Sequence, residues 1–296
     1  MAKIINGRLL ASKIKKDIKQ KVAKMTIKPG LIVVLVGDDP ASEVYVKFKE
    51  KACKEVGFYS KKIALPASVS QKTLLKEIEQ LNNDSKIHGI LVQLPLPRGF
   101  NEQEVIQSIK PEKDVDCFHP INVGKLTLIK RIDDLNNFLA PCTAKGVVRL
   151  IEYVGRALAN TNFSSVSKLA LTASAANNGA QDKNQSQTVY KGRRRLAQTG
   201  ADTQENCIVP RYQEGFIQGK KVVIVGRSNL VGKPLALLLL AKNATVTVCH
   251  SKTKDLKKET KEADILVAAV GKAGMITADM VKKNAFVLSL VENLGF

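Results

Sequence analysis
The chain lacks several features, and each absence excludes a class. No apolar run can span a membrane: the longest, Leu235 to Ala241, falls far short of the roughly 20 residues a bilayer requires. The start, Met1-Ala2-Lys3-Ile4-Ile5-Asn6-Gly7, has no apolar core of a signal peptide. The expectation is a cytoplasmic protein with no membrane partner. Cysteine is sparse: Cys53, Cys117, Cys142, Cys207 and Cys249 are odd in number, scattered, and never form C-x-x-C. They read as reduced thiols and not as a disulfide or zinc framework. His88, His119 and His250 show no metal-ligand spacing, so no metal is expected.

Acidic residues are also in deficit. Lys and Arg number 47 against 27 Asp and Glu, a formal net charge of +20. Such an excess raises a nucleic-acid-binding reading, because clustered cations release counterions from a phosphate backbone. However, Lys15, Lys16, Lys19, Lys21 and Lys24 follow a helical pattern whose other face is apolar, with no interleaved aromatics. A solvated helix surface with no nucleic-acid partner is therefore favoured. A basic surface also suits small polyanions, such as a phosphorylated dinucleotide or a substrate with a glutamate tail.

What is present is globular. A chain of 296 residues with 44% hydrophobic content predicts two domains of ordinary size, each with its own core. The first half alternates strand-like and helix-like runs: Leu31 to Val36, a helix over about 41–56, Lys62 to Leu65, a helix over about 71–81, then Ile87 to Leu94. The second half resumes with Lys221 to Gly226, a helix over about 230–242, Ala244 to Cys249, Asp264 to Val270 and Ala285 to Leu290. Repeated β-α units of this kind predict mainly parallel sheets faced by helices. The two units join near Pro141-Cys142-Thr143, where Thr143 can cap a helix to about Tyr153. Between about 155 and 218 the periodicity stops, Asn, Gln, Ser, Ala and Gly dominate, and a basic knot follows at Lys191-Gly192-Arg193-Arg194-Arg195. That stretch reads as an inserted, mobile segment, its knot a solvated charge run.

Gly226-Arg227-Ser228-Asn229-Leu230-Val231-Gly232 follows a strand and opens a helix, where a dinucleotide pyrophosphate meets free N–H groups and a helix dipole. Ser228 and Val231 replace the second and third glycines of the usual pattern. The next strand ends at Cys249-His250-Ser251-Lys252 with no acid for a ribose hydroxyl, so Arg227, Ser251 and Lys252 favour a 2′-phosphate and hence NADP. The bland alternative is an ordinary strand-turn-helix with a surface arginine.

Tyr45 and Lys49 are four apart on one helix face, an aromatic plane beside an amine that burial or a neighbouring charge could tune; alone, Lys49 is more often a surface lysine. Gln93 ends an apolar strand, the place where open α/β sheets bind ligands. Asp114 and Asp116 could hydrogen-bond an amino-substituted ring or equally serve a turn or cap.

Tyr45-Val46-Lys47-Phe48-Lys49, Leu91-Val92-Gln93-Leu94-Pro95-Leu96-Pro97, Lys113-Asp114-Val115-Asp116, Pro141-Cys142-Thr143 and the run from Gly226-Arg227-Ser228 to Pro234 occur in the order typical of bifunctional methylenetetrahydrofolate dehydrogenase/cyclohydrolase. The chain resembles that family through residues 1 to about 154 and about 219 to 287. The resemblance implies an α/β fold of two domains with a cleft between them. Residues 1–142 would be the folate-binding catalytic domain and 143–296 a Rossmann-like NADP-binding domain. It also implies that Tyr45 stacks on the pterin, Lys49 is the central catalytic residue tuned by Gln93, and Asp116 binds the pterin's amino edge, with Leu94 and Pro95 lining the site. Gly226, Arg227, Ser228, Val231 and Gly232 would hold the cofactor, Arg227 and Ser251 its 2′-phosphate, and Gly271 would lie near the nicotinamide. The implied chemistry is oxidation of 5,10-methylenetetrahydrofolate by NADP and hydrolysis to 10-formyltetrahydrofolate for purine biosynthesis, in a homodimer.

Three departures from the family accompany the likeness. Cys117 replaces the Gly usual after Asp-Val-Asp, which strains the loop if φ is positive. The insertion separates the linking helix from the cofactor domain. After Val287 the family would continue through a substrate loop and a last helix, and the expectation is that this tail is missing. A degraded, weakly active remnant and a basic nucleic-acid-binding protein are the competing readings.

Overall fold
The computed structural model describes residues 3–4, 7–130, 139–159, 169–172, 215–272 and 274–290. Among them the strands form two sheets, all of whose pairings are parallel. The first sheet has the order β3-β2-β4, from Tyr59–Leu65, Gly30–Val36 and Gly89–Val92. The second has the order β1-β5-β9-β8-β6-β7, from Lys3–Ile4, Leu169–Thr172, Phe286–Ser289, Ile265–Ala268, Lys221–Val225 and Thr245–Cys249. The expected two-unit α/β architecture is therefore present.

Central strand β2 shows why its sequence is an almost unbroken apolar run. Ile32, Val34 and Val36 pack on one face against Leu74, Ile78 and Leu81 of α3 (Gln71–Asn83) and Val105 of α4 (Glu102–Ser108). Val33 and Leu35 pack on the other against Val46 of α2 (Pro40–Val56), Leu91 and Val115. A strand covered on both faces has no position for a polar side chain. In the second sheet, Val222, Ile224, Val267 and Leu288 meet α6 (Cys142–Ala159) and α7 (Gly232–Leu240). Val223, Val225, Leu266 and Val287 face the opposite cluster around Ala263 and Ile276.

Local signals set the helix ends. Asp39 accepts from Ser42 N at 2.8 Å, Pro40 occupies the first turn of α2, and Gly57 closes it at φ 86°. Several surplus lysines serve as C-terminal caps. Lys28 Nζ donates to Val22 O (2.7 Å) and Met25 O (3.1 Å) after α1 (Gly7–Ala23), and Lys113 Nζ to Leu81 O (3.0 Å) and Asp84 O (2.8 Å) after α3. A buried ion pair, Lys242 Nζ to Glu152 Oε1 at 2.7 Å, ties the end of α7 to α6.

The structure differs from the sequence reading in three places. Helix α6 begins at Cys142, so Thr143 lies inside its first turn, and the helix runs on to Ala159. The inserted stretch is not without structure: β5 lies inside it and pairs with both β1 and β9, because Leu169-Ala-Leu-Thr172 is a short apolar run able to complete a parallel ladder. At its far end Phe216 and Ile217 enter the core, Phe216 edge-on to Phe286 with ring centroids 6.4 Å apart and its ring over Gly155, where no Cβ could fit. The knot at 191–195, Cys207 and residues 291–296 lie outside the described residues.

Because Phe216 anchors the return of the chain into the cofactor unit, Phe216→Ala should lower stability by about 2–3 kcal/mol, below the cost at a fully enclosed phenylalanine. A denaturant midpoint unchanged from the parent would show that the insertion's end is not part of the core.

Candidate active site
Parallel strands send their carboxyl ends to one edge, and in the first sheet that edge carries the chemistry. Gln93 follows β4 directly, and its own N–H donates to Val34 O at 2.9 Å, which holds the chain against β2 as it leaves the sheet. Lys49, on α2, donates from Nζ to Gln93 Oε1 at 3.0 Å. The amide nitrogen of Gln93 donates in turn to Leu94 O at 2.8 Å, which orients the side chain with its oxygen toward the lysine. Leu94 and Pro95, joined by a cis peptide bond, border this pair. Tyr45, one turn before Lys49 on α2, has 48% of its surface exposed and so offers an open ring face.

The loop after Lys110 brings the carboxylates. Asp114 is buried, makes an isolated parallel bridge with Ile90, and accepts from His119 N (2.8 Å) and Asn122 Nδ2 (2.9 Å). It holds the loop and the start of α5 (Pro120–Thr127), so the alternative of a ligand-binding Asp114 gives way to a structural one. Asp116 is half-buried and lies in the field of Lys49. Burial raises its carboxyl above the ordinary 3.8, Lys49 pulls it back down, and Asp114 pushes it up. Cys117, fully buried, takes φ 58°, the left-handed conformation that the replaced glycine would favour. Burial, followed by the nearby Asp114, pushes its thiol up to about 12.

The second sheet repeats the logic. In the parallel register Val225 lies beside Cys249 and Ala268, so the loops carrying Arg227, Ser251 and Gly271 leave from adjacent strand ends. Gly226, at φ 126°, donates to Cys249 O at 2.8 Å, and a Cβ there would lie 2.5 Å from Ala269 O. A Cβ on Gly232 would overlap the Gly226 carbonyl. Only glycines let this turn close before α7. Ser228 Oγ accepts from Val231 N (3.1 Å) and Gly232 N (3.4 Å), so it works inside the turn in place of a glycine. His250, which spacing did not single out, orders the next loop: its N–H donates to Thr253 Oγ1 (2.8 Å) and its Nδ1 accepts from Lys252 N (3.1 Å). Gly271 has a positive φ of 60° and open space around it.

The raised Asp116 carboxyl has a stability consequence. A carboxyl with a raised folded pKa costs stability as pH climbs past 3.8, and the cost is complete above the folded value. Asp116→Asn removes that charge, so it should raise the melting temperature near neutral pH and leave it unchanged below pH 3.8. A gain of equal size at both pH values would assign the effect to packing.

Comparison with known proteins adds independent findings. Residues 5–116 match the tetrahydrofolate dehydrogenase/cyclohydrolase catalytic domain, and residues 206–293 match the NAD(P)-binding domain of the same family. The bifunctional protein FolD of Geotalea daltonii is 42% identical over 99% of this chain and 82% of the relative. The FolD of Moorella thermoacetica is 42% identical over 98% and 81%. Among solved structures, the FolD methylenetetrahydrofolate dehydrogenase/cyclohydrolase of Campylobacter jejuni superposes with TM-score 0.72 at 35% identity, covering 97% of this chain and 80% of that one. The Trypanosoma brucei FolD, solved with NADP cofactor and inhibitor, gives 0.72 at 31% identity, covering 97% and 77%. With both units matched and relatives aligned over nearly its whole length, the chain belongs to the tetrahydrofolate dehydrogenase/cyclohydrolase family.

Proposed function
We propose that this chain oxidises 5,10-methylenetetrahydrofolate to the 5,10-methenyl form with NADP and hydrolyses the product to 10-formyltetrahydrofolate. Residues 1–142 are its folate-binding unit and 143–296 its cofactor unit. The observation that carries this reading is the 3.0 Å contact from Lys49 to Gln93, set in the field of Asp116 at the carboxyl edge of the first sheet.

The cofactor fits the second unit on its own geometry. Gly226 and Gly232 leave a cradle at the start of α7 that side chains would close, and a helix start of this kind favours a pyrophosphate. Arg227 and Ser251, on adjacent loops, supply a cation and a hydroxyl for a 2′-phosphate, with Val231 and Gly271 bordering the site. When bound, NADP accepts the hydride released by the methylene carbon.

The chain's own residues do the rest. The exposed Tyr45 ring presents a flat face to the pterin. Asp116 accepts hydrogen bonds from its amino edge, and because burial penalises the free carboxylate, donors from the ligand relieve a cost already present in the empty site. Gln93 Oε1 fixes the Lys49 amine, which then orients water toward the methenyl carbon and handles its proton.

The same reading includes a homodimer in the cytoplasm, supplying formyl groups to purine biosynthesis. In support of a protein that does not cross the membrane, no helix among the described residues is long and apolar enough to do so.

The primary test is an assay of purified protein with methylenetetrahydrofolate and NADP, following methenyl formation; no turnover under conditions where an intact relative is active would sink the proposal. Lys49→Ala should abolish methenyl hydrolysis and leave NADP affinity nearly unchanged, whereas parent-like hydrolysis would remove Lys49 from its central role. Arg227→Ala should weaken NADP by about 1.5–3 kcal/mol, the value of a charge-assisted contact, with little effect on NAD; equal losses for the two cofactors would make Arg227 structural.

A further inference from the structure
The proposed reaction leaves two thiols beside the Asp116 turn without a task. Cys117 sits in the turn directly after Asp116, fully buried, its N–H donating to Asp114 O at 3.4 Å. Cys142 opens α6 from the other unit's side of the chain, and it is exposed. Its Sγ donates to Val115 O at 3.6 Å, so this thiol rests on the very turn that carries Cys117, with Asp116 lying between Val115 and Cys117 in sequence. The pair is electrostatically linked as well: burial, Asp114 and then Cys142 push the Cys117 thiol upward. Cys53 and Cys249 are buried elsewhere, on α2 and β7.

We propose that Cys117 and Cys142 form an oxidisable thiol pair whose disulfide closes across Asp116 and reversibly shuts the folate site. The closing-off part rests on the reading of that site given above; the disulfide does not.

The chemistry assigns distinct roles. Burial and then Asp116 push the Cys142 thiol up as well, but Cys142 is the exposed residue of the two and is reached first: its sulfur attacks a small disulfide such as oxidised glutathione, forming a mixed disulfide and releasing one glutathione thiol. Cys117 then attacks the Cys142 sulfur, the protein disulfide forms, and the second glutathione thiol leaves. Two protein thiols are oxidised, one small disulfide is reduced to two thiols, and the two protons pass to the departing sulfurs. Cys117, enclosed and high in pKa, is a poor first target and suits the resolving step.

The turn is built to yield. A disulfide needs Cβ atoms about 3.5–4.5 Å apart, and the Cys142 sulfur already touches Val115 O, two residues before Cys117. Cys117 already holds a left-handed φ of 58° that disfavours any side chain, so the turn loses little by leaving that conformation. A link at Cys117 constrains the backbone of its neighbour Asp116, the residue assigned above to the pterin.

The test treats the whole purified chain with oxidised glutathione and maps its peptides by mass. The expected result is a linked pair of peptides containing Cys117 and Cys142, lighter by two hydrogens, with methenyl formation falling by about tenfold or more and both changes reversed by dithiothreitol. Cys117→Gly, which suits the positive φ, should fold at least as well, stop at the mixed disulfide on Cys142, and yield no link. A mixed disulfide that persists on Cys142 in the parent chain, thiols that stay free, or a linked protein as active as the reduced one would each overturn the proposal. A reversible link in a protein without turnover would uphold the pair and count against the folate reaction instead.

Discussion
Parallel pairing in both sheets sends every strand's carboxyl end to the same edge, and the placement of each candidate group follows from it. Gln93 leaves β4, Gly226 leaves β6, Ser251 follows β7 and Gly271 follows β8, each at the end where a parallel sheet opens to its loops. Strands β2, β4 and β8 are nearly unbroken apolar runs because both their faces are covered, whereas edge strands β3 and β7 carry polar residues. The polar chemistry is thereby confined to loop residues and to α2, whose first turn is set by Asp39 and Pro40.

Electrostatics within this frame depends on scarcity of acid. With 47 basic residues against 27 acidic ones, at least 20 cations have no carboxylate of their own, and Lys28 and Lys113 are used on helix carbonyls instead. The acids are placed where geometry matters. Asp114 organises a loop through two donors, Asp264 accepts from Lys221 N (3.0 Å) and Lys282 Nζ (2.7 Å), and the half-buried Asp116 carries a carboxyl that burial raises. Two aspartates two residues apart therefore differ: Asp114 is held by hydrogen bonds from His119 and Asn122, and Asp116 carries a carboxyl raised by burial.

The chain's departures from the family pattern acquire physical content in the same way. Cys117, at the departure from the family's expected glycine, holds φ 58° with its side chain wholly buried in the turn. The inserted stretch contributes a sheet strand at Leu169–Thr172 and returns through Phe216, which stacks edge-on against Phe286 of β9.

The alternation of apolar strand runs and amphipathic helices, read from sequence alone, sets the two α/β units, because period and length are local properties that burial on two faces imposes. Motif order likewise determined the family and the cast of residues: Tyr45, Lys49, Gln93, Asp116 and the Gly226–Gly232 turn. Short or composition-poor elements such as β1, β5 and α8 (Leu256–Lys261) left no periodic trace, since a few residues gain their order from neighbours and not from their own pattern. The resemblance singled out Asp116, but only the tertiary structure showed what Asp114 does instead, because its donors His119 and Asn122 come from the following segment. The Lys49–Gln93 pairing that the resemblance implied takes its 3.0 Å geometry from the structure, and only the structure set Cys142 against the turn of Cys117, since such contacts arise where distant stretches of chain cross, a distance that residue order does not encode.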